Sequence, residues 1–350
     1  MKASAPVIMT ADGLAAATAP ATLPSSETQG MQRLSLAKLK VWEEFKYGMF
    51  ISFGMSTFDA DEFSKGDRPS SFYAPDQLDV GQWVSVARDA GMKYAVLTAK
   101  HVAGHCLWPS KHTDYHVGTS GNTTDVVEAF VVACNQRGVK PCLYYCSWDN
   151  HHKFGSQTPT DVIGLPRDQQ AATKPFTTRE YQDFQMRQLE ELLTNYGSIF
   201  EVWIDIPIVL PRACRNDLYR QIAAWQPESV IMMNHGVGNA STFNVDKAWP
   251  TDLIAMERSL PDGATGFVPW RTIEGKTYYM PGEVSDCLGR EWFYVENDVP
   301  RSDAELLGMY LTSTSRQANF LLSVGPDRHG LIPARYSESL MRLRKNIDRL

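Results

Sequence analysis

The sequence has no apolar run approaching the ~20 residues that a membrane-spanning helix needs, so no membrane partner is expected. Its six cysteines, Cys106, Cys134, Cys142, Cys146, Cys214 and Cys287, form no CxxC pair, which removes the usual zinc-ribbon and redox spacings. Cys142 and Cys146 lie in or beside an apolar run, where reduced structural thiols are common, and the set reads as mostly of that kind. No basic stripe interrupts a formal net charge of −6 over 350 residues, which argues against a nucleic-acid partner. No GxGxxG follows the first apolar run, which counts against a dinucleotide-binding fold. The first thirty residues are rich in Ala, Thr, Pro and Ser, and their only apolar run, Pro6–Met9, is too short for a secretory core. Residues 1–35 therefore read as a disordered arm or the remnant of an export segment, with a periplasmic or secreted location favoured over a cytoplasmic one.

What remains is the composition of a soluble enzyme: 43% hydrophobic and 21% charged residues. Nine Trp and fourteen Tyr provide core area and also the flat apolar faces on which sugar rings sit. From Lys46 onward, strand-like and helix-like segments alternate. Expected strands are Met49–Phe53, Tyr94–Thr98, Pro141–Ser147, Ile199–Ile206, Val230–Asn234, Leu253–Met256, Tyr278–Met280 and Phe320–Val324. Between them, helices are expected at Gln82–Ala90, at Asp125–Arg137 (N-cap Thr123 or Thr124, C-cap Gly138), at Thr178–Tyr196 and at Asn216–Trp225. Two more are expected near Asp303–Ser315 and Tyr336–Ile347. Repeated βα units of this number predict an α/β fold, a (β/α)8-like barrel of the TIM type, over residues 36–350.

In such barrels ligands bind at the carboxyl ends of the strands. The stretch after Tyr94–Thr98 is dense in suitable groups: Lys100, His101, His105, Trp108, Asp114 and Tyr115. Asp205 ends the strand EVWID, and candidate second carboxylates follow later strands, Glu257 after Leu253–Met256 and Glu283 after Tyr278–Met280. Two carboxylates flanking a bond are the apparatus of glycoside hydrolysis, and a separation of ~5–5.5 Å goes with retention of configuration.

YAVLTAKHVAGHCLWPSKHTDY, then CLYYCSWD, YGSIFEVWID and ANFLLSVGPDRHGLIP, in this order, resemble glycoside hydrolase family 29, the α-L-fucosidases. The resemblance runs from about Phe45 to the C-terminus. It implies a catalytic barrel and a retaining double displacement that needs no metal or organic cofactor. Many members add a C-terminal β-sandwich, for which this sequence leaves no room. By the resemblance Asp205 is the nucleophile, and Glu257, about fifty residues on, is the first choice for the acid/base, with Glu283 second. Glu62, His101, Trp108, Tyr145 and Trp203 match sugar-contacting positions, and His105 is expected to restore one contact. The sequence departs from the family pattern at Ser52 and Val102, where histidines are usual, at Ala103, where an acid is usual, and at Ile206, where Gly is usual. Two fucose-bonding imidazoles are thus absent, and a related sugar such as L-galactose joins L-fucose as a candidate. The expected partner is a fucosylated glycan or polysaccharide, cleaved from its end. Two other classes stay open: a metal-dependent hydrolase using His101, His105, His151, His152 and Asp205, and a carbohydrate-binding protein on a hydrolase barrel.

Overall fold

The computed structural model describes residues 30–153, 177–234, 236, 243–261 and 267–350. The expectation for residues 1–29 lies outside these. Strands buried on both faces are mostly apolar, and the central ones follow that pattern. All seven residues are buried in β2 (Tyr94–Lys100) and in the last strand, β10 (Ala318–Val324). The other barrel strands are β1 (Tyr47–Ile51), β3 (Lys140–Cys146), β4 (Glu201–Asp205), β5 (Val230–Met233), β6 (Ile254–Glu257) and β9 (Gly282–Cys287). They pair in parallel in the order β5-β4-β3-β2-β1-β10-β9-β6, with β1 joined to both β2 and β10.

Helices α1 (Leu36–Glu43), α2 (Met55–Asp59), α3 (Val80–Asp89), α4 (Val126–Arg137), α5 (Arg179–Thr194), α6 (Arg212–Trp225), α7 (Val245–Ala248), α8 (Asp303–Ser315) and α9 (Ala334–Ile347) accompany the strands. The eight parallel strands with connecting helices form the expected (β/α)8-like barrel, nearly closed. Its six cysteines are all free.

The open seam lies between β5 and β6. There the residues just before β6 replace a strand ladder. The Asp252 N–H donates to the Ile231 carbonyl at 2.8 Å, and its carboxylate accepts the Ile231 N–H at 2.9 Å. Thr251 Oγ1 accepts the Met233 N–H at 3.0 Å. Arg33, ahead of α1, ties this seam by donating to Asp252 at 2.6 Å and to the Pro227 carbonyl at 2.8 Å. Asp252 is only 2% exposed, so losing its cation would leave a buried charge with neutral donors alone. Arg33→Ala is therefore expected to lower stability by about 3 kcal/mol, read as a fall in the urea midpoint at unchanged slope.

Three local expectations are corrected. The N-cap of α4 is Asp125, whose carboxylate accepts the Glu128 N–H at 2.9 Å, and not Thr123 or Thr124. The segment Tyr278–Met280 contributes to no barrel strand. It lies at the end of β8 (Lys276–Tyr279), which pairs only with β7 (Trp270–Ile273) in an antiparallel hairpin. Glu274 and Gly275 both adopt positive φ at its turn, the conformation two-residue hairpins favour. The seventh barrel strand is β9, and its sequence GEVSDC carries no apolar run to announce it.

Candidate active site

Asp205 and Glu257 are the last residues of β4 and β6, at the carboxyl mouth of the barrel. After each, the chain turns through a left-handed residue: Ile206 at φ 49°, Arg258 at φ 48°. For an L-residue this conformation costs roughly 1–2 kcal/mol, and for β-branched Ile it is a true outlier. Such strain is concentrated at functional sites, where surrounding structure over-determines the backbone. It falls here on the residue that follows each carboxylate.

The two acids meet through one side chain. Asn234, directly after β5, donates from Nδ2 to Asp205 Oδ1 at 2.8 Å and to Glu257 Oε2 at 2.7 Å. The two oxygens can therefore be no farther apart than about 5.5 Å, within the spacing typical of retaining glycosidases. Tyr144 donates its hydroxyl to Asp205 Oδ2 at 2.6 Å. Burial pushes the Asp205 carboxyl above its ordinary range, while the bonds from Tyr144 and Asn234 oppose that shift by stabilising the anion. The arrangement keeps both Asp205 oxygens supplied with donors.

Around these acids a pocket is lined by Phe50, Tyr144, Trp203, Trp292 and Phe293, with Ser52, Glu62, Thr98, His101, Asn234 and Ser285. Phe50 packs on Trp203 at 5.3 Å between ring centroids, and His101 stacks on Tyr144 at 5.6 Å. Burial and the nearby Lys100 lower the His101 pKa to about 3, so the ring is neutral at any working pH. Its buried Nδ1 has no hydrogen-bond partner among the described residues. His101 lines the pocket, so this unpaired buried nitrogen belongs to a ring at the site.

Glu62, in the loop after α2, is raised to about 7, chiefly by burial and then by the neighbouring Glu257; Arg258 opposes the rise. Its folded pKa thus lies above its ordinary value of 4.5, so the folded state keeps a proton that the unfolded chain has already lost. The group's contribution to stability falls as pH rises from 4.5 to about 7. Glu62→Gln is expected to remove that part of the decline, so that the stability of the variant relative to the native chain grows across this interval in urea titrations.

Of the residues singled out in the sequence, the structure brings Asp205, Glu257, Glu62, His101 and Trp203 to one pocket. Four others lie elsewhere. Glu283 is the second residue of β9, 0% exposed, and bonds Tyr94 and Trp203 inside the barrel instead of lining the pocket. Tyr145 points away from the barrel axis, because successive strand residues face opposite sides. Its hydroxyl donates to Gln188 on α5 at 2.8 Å, and Tyr144 takes the pocket position instead. Trp108 is 1% exposed and donates to Glu191 at 3.0 Å, which makes it a brace between its loop and α5. His105 bonds Ser120 at 2.8 Å and packs on Tyr73 and Tyr115 within the loop core. Ser52 lines the pocket and shares a 3.0 Å bond with Ser323, whereas Val102 and Ala103 are buried in the core. His151 is stacked on Tyr115, and His152 bonds Asp149 at 2.9 Å.

Sequence reasoning passed over Asn234 and Tyr144. Asn234 stands at a strand's carboxyl end, the same signal that singled out Asp205. Tyr144 shares its strand face with Cys142 and Cys146 and pairs in register with Trp203, a signal lost when its neighbour was chosen.

This geometry agrees with the chain's similarities. The model of the family described as Alpha-L-fucosidase matches residues 60–348. Alpha-L-fucosidase 1 of Arabidopsis thaliana is 30% identical over 309 residues, covering 83% of this chain and 56% of the plant protein. Plasma alpha-L-fucosidase of Homo sapiens is 27% identical over 348 residues, covering 89% of this chain and 68% of the human one. Among solved structures, alpha-L-fucosidase isoenzyme 1 from Paenibacillus thiaminolyticus superposes with a TM-score of 0.73 at 25% identity, covering 89% of this chain and 75% of that one. The chain spans a little over half the length of the plant relative. Because the family match extends through most of the barrel, from the loop that carries Glu62 to the last helix, the chain belongs to the alpha-L-fucosidase family.

Proposed function

We propose that this chain is a retaining, exo-acting α-L-fucosidase that removes terminal L-fucose, or a close stereochemical relative such as L-galactose, from a glycan. The observation that carries the reading is the single amide of Asn234 bonded to both Asp205 and Glu257. With the sugar seated between them, Asp205 attacks the anomeric carbon and forms a glycosyl ester, while Glu257 gives its proton to the departing oxygen. In the second half Glu257 takes a proton from water, which displaces Asp205 and releases the sugar. The family match and the names of the relatives support L-fucose as the sugar.

The pocket itself supports exo action. It is floored by Phe50 and Trp203, so a sugar entering from the barrel mouth reaches an end. His101 Nδ1 offers one neutral partner to a sugar hydroxyl, and Glu62 a second, charged above about pH 7. Ser52 is shorter than the usual histidine and leaves room beside Ser323. A panel of aryl glycosides tests the assignment. Turnover of the α-L-fucoside, with the α-L-galactoside as the next best substrate, is expected. Binding of L-fucose with no turnover of any member would instead make the chain a carbohydrate-binding protein on a hydrolase barrel.

A further inference from the structure

Below the pocket, the barrel interior holds two acids that the proposed reaction does not use. Glu201 opens β4 and Glu283 lies near the start of β9, and both are 0% exposed. Alternation along β4 puts Glu201, Trp203 and Asp205 on one inward face. No lysine, arginine or histidine forms an ion pair with either acid among the described residues. Taking one unpaired carboxylate out of water costs several kcal/mol, and two side by side add mutual repulsion in a medium that screens little. The fold therefore cannot hold both as anions.

Their partners show which one is charged. Glu283 has a donor on each oxygen, the Tyr94 hydroxyl on Oε1 at 2.6 Å and the Trp203 indole on Oε2 at 2.8 Å. Glu201 has one long bond, from the Trp42 indole to Oε2 at 3.2 Å; the Trp203 indole, bonded to Glu283, also bears on its carboxyl, and its buried Oε1 has no hydrogen-bond partner among the described residues. Its carboxyl instead faces that of Glu283, close enough for a hydrogen bond if one of the two carries a proton. The other titratable groups facing the pair are Tyr94 on β2 and Cys142 on β3, both neutral because burial raises them well above their usual range.

We propose that Glu201 and Glu283 share one proton, with Glu201 neutral and Glu283 the anion, and that Glu283 is a positioning residue that fixes Trp203 as the floor of the sugar pocket. Tyr94 and Trp203 reach Glu283 from β2 and β4, the strands on either side of β3, so the anion sets where the indole sits. Trp203 in turn packs against Phe50 and lies at 26° to Tyr144, the donor to Asp205. A Gln at position 283 could still accept one of the two bonds, but its amide nitrogen would confront the other donor. The link to catalysis rests on the fucosidase reading above; the location of the proton does not.

Infrared spectroscopy of the full chain tests the proton directly, through the C=O stretch of an un-ionised carboxylic acid at a pH well above ordinary carboxyl titration. The native protein is expected to keep that band. Glu201→Gln is expected to lose the share of one carboxyl from it, because Gln supplies the hydrogen bond itself, and Glu283→Gln is expected to keep that share on Glu201; any proton held by Glu62 or Glu257 contributes equally to all three proteins. Absence of the band in the native protein, or its undiminished intensity in Glu201→Gln, would overturn the shared proton. On an aryl α-L-fucoside, Glu283→Gln is expected to lower kcat/KM about tenfold or more, with cooperative unfolding retained. A native kcat/KM in that variant would overturn the positioning role. If Glu283→Gln does not fold, Tyr94→Phe, which removes only the hydroxyl that holds Glu283 Oε1, tests the same role by a fall in the same direction. If the native chain cleaves no fucoside, the functional reading fails while the infrared result still decides the dyad.

Discussion

Asp205→Gly is expected to reduce turnover of an aryl α-L-fucoside by at least about 10^4-fold, because the variant loses the carboxylate proposed to form the glycosyl ester. The reason is positional. Asp205 ends β4 with both oxygens engaged, by Tyr144 at 2.6 Å and Asn234 at 2.8 Å, so the carboxylate is held in one orientation before any sugar arrives. Glu257 and Glu62 also line the pocket, and Glu257 shares the Asn234 amide at 2.7 Å. Deleting the carboxylate leaves a cavity of the size of a small anion on that face. Azide added to the glycine variant should enter it, attack the anomeric carbon from the side Asp205 occupied, and restore part of the turnover as the inverted fucosyl azide. Turnover near the native level without azide would remove Asp205 from the nucleophile's role.

Glu257→Ala has the second-largest expected effect, and its signature is dependence on the leaving group. A nitrophenolate departs without help, whereas a sugar alkoxide must be protonated as the bond breaks. The fall in kcat/KM should therefore exceed about 10^3-fold for a fucosyl disaccharide and be far smaller for the nitrophenyl fucoside. Azide should rescue this variant too, but by intercepting the Asp205 ester, so its product keeps the starting configuration. The opposite stereochemistry of the two azide products separates the roles of the two acids in one experiment. Equal losses on both leaving groups would transfer the proton donor to Glu62, the third carboxylate lining the pocket.

Much of this site could be read in the sequence because barrel chemistry is concentrated at strand ends. EVWID is an apolar strand closed by an acid, and IAME repeats that pattern. What escaped reading has physical causes. Asn234 occupies the same position after β5, but an amide does not announce acid/base chemistry; its importance lies in bonding two carboxylates at once. Tyr144 and Tyr145 are adjacent, and one step along a strand exchanges the barrel interior for the helical layer. His105 and Trp108 looked like site residues because polar and aromatic groups crowd their loop. In the structure that crowding is the loop's own internal bonding, to Ser120 and to Glu191.

The fold was legible with one exception of the same kind. Seven barrel strands are apolar enough to declare themselves, but β9 carries Glu283, Ser285 and Asp286 in six residues, all buried. Glu283 bonds Tyr94 and Trp203 and Asp286 bonds Arg301, so hydrogen bonds offset much of the cost of burying these acids. The strand expected in its place belongs to the β7–β8 hairpin, whose Tyr279 is buried but whose ladder stands outside the barrel. This misplacement also explains Glu283: assigned to the end of a strand, it resembled a catalytic acid, whereas near the start of β9 it lies beneath the pocket.

Two carboxylates bridged by Asn234 are proposed to perform two successive displacements. The most direct test follows hydrolysis of an aryl α-L-fucoside by proton NMR before the free sugar equilibrates. Release of α-L-fucose as the first-formed anomer is the expected result. Release of β-L-fucose would mean a single displacement by water, and would contradict the assignment of Asp205 as nucleophile.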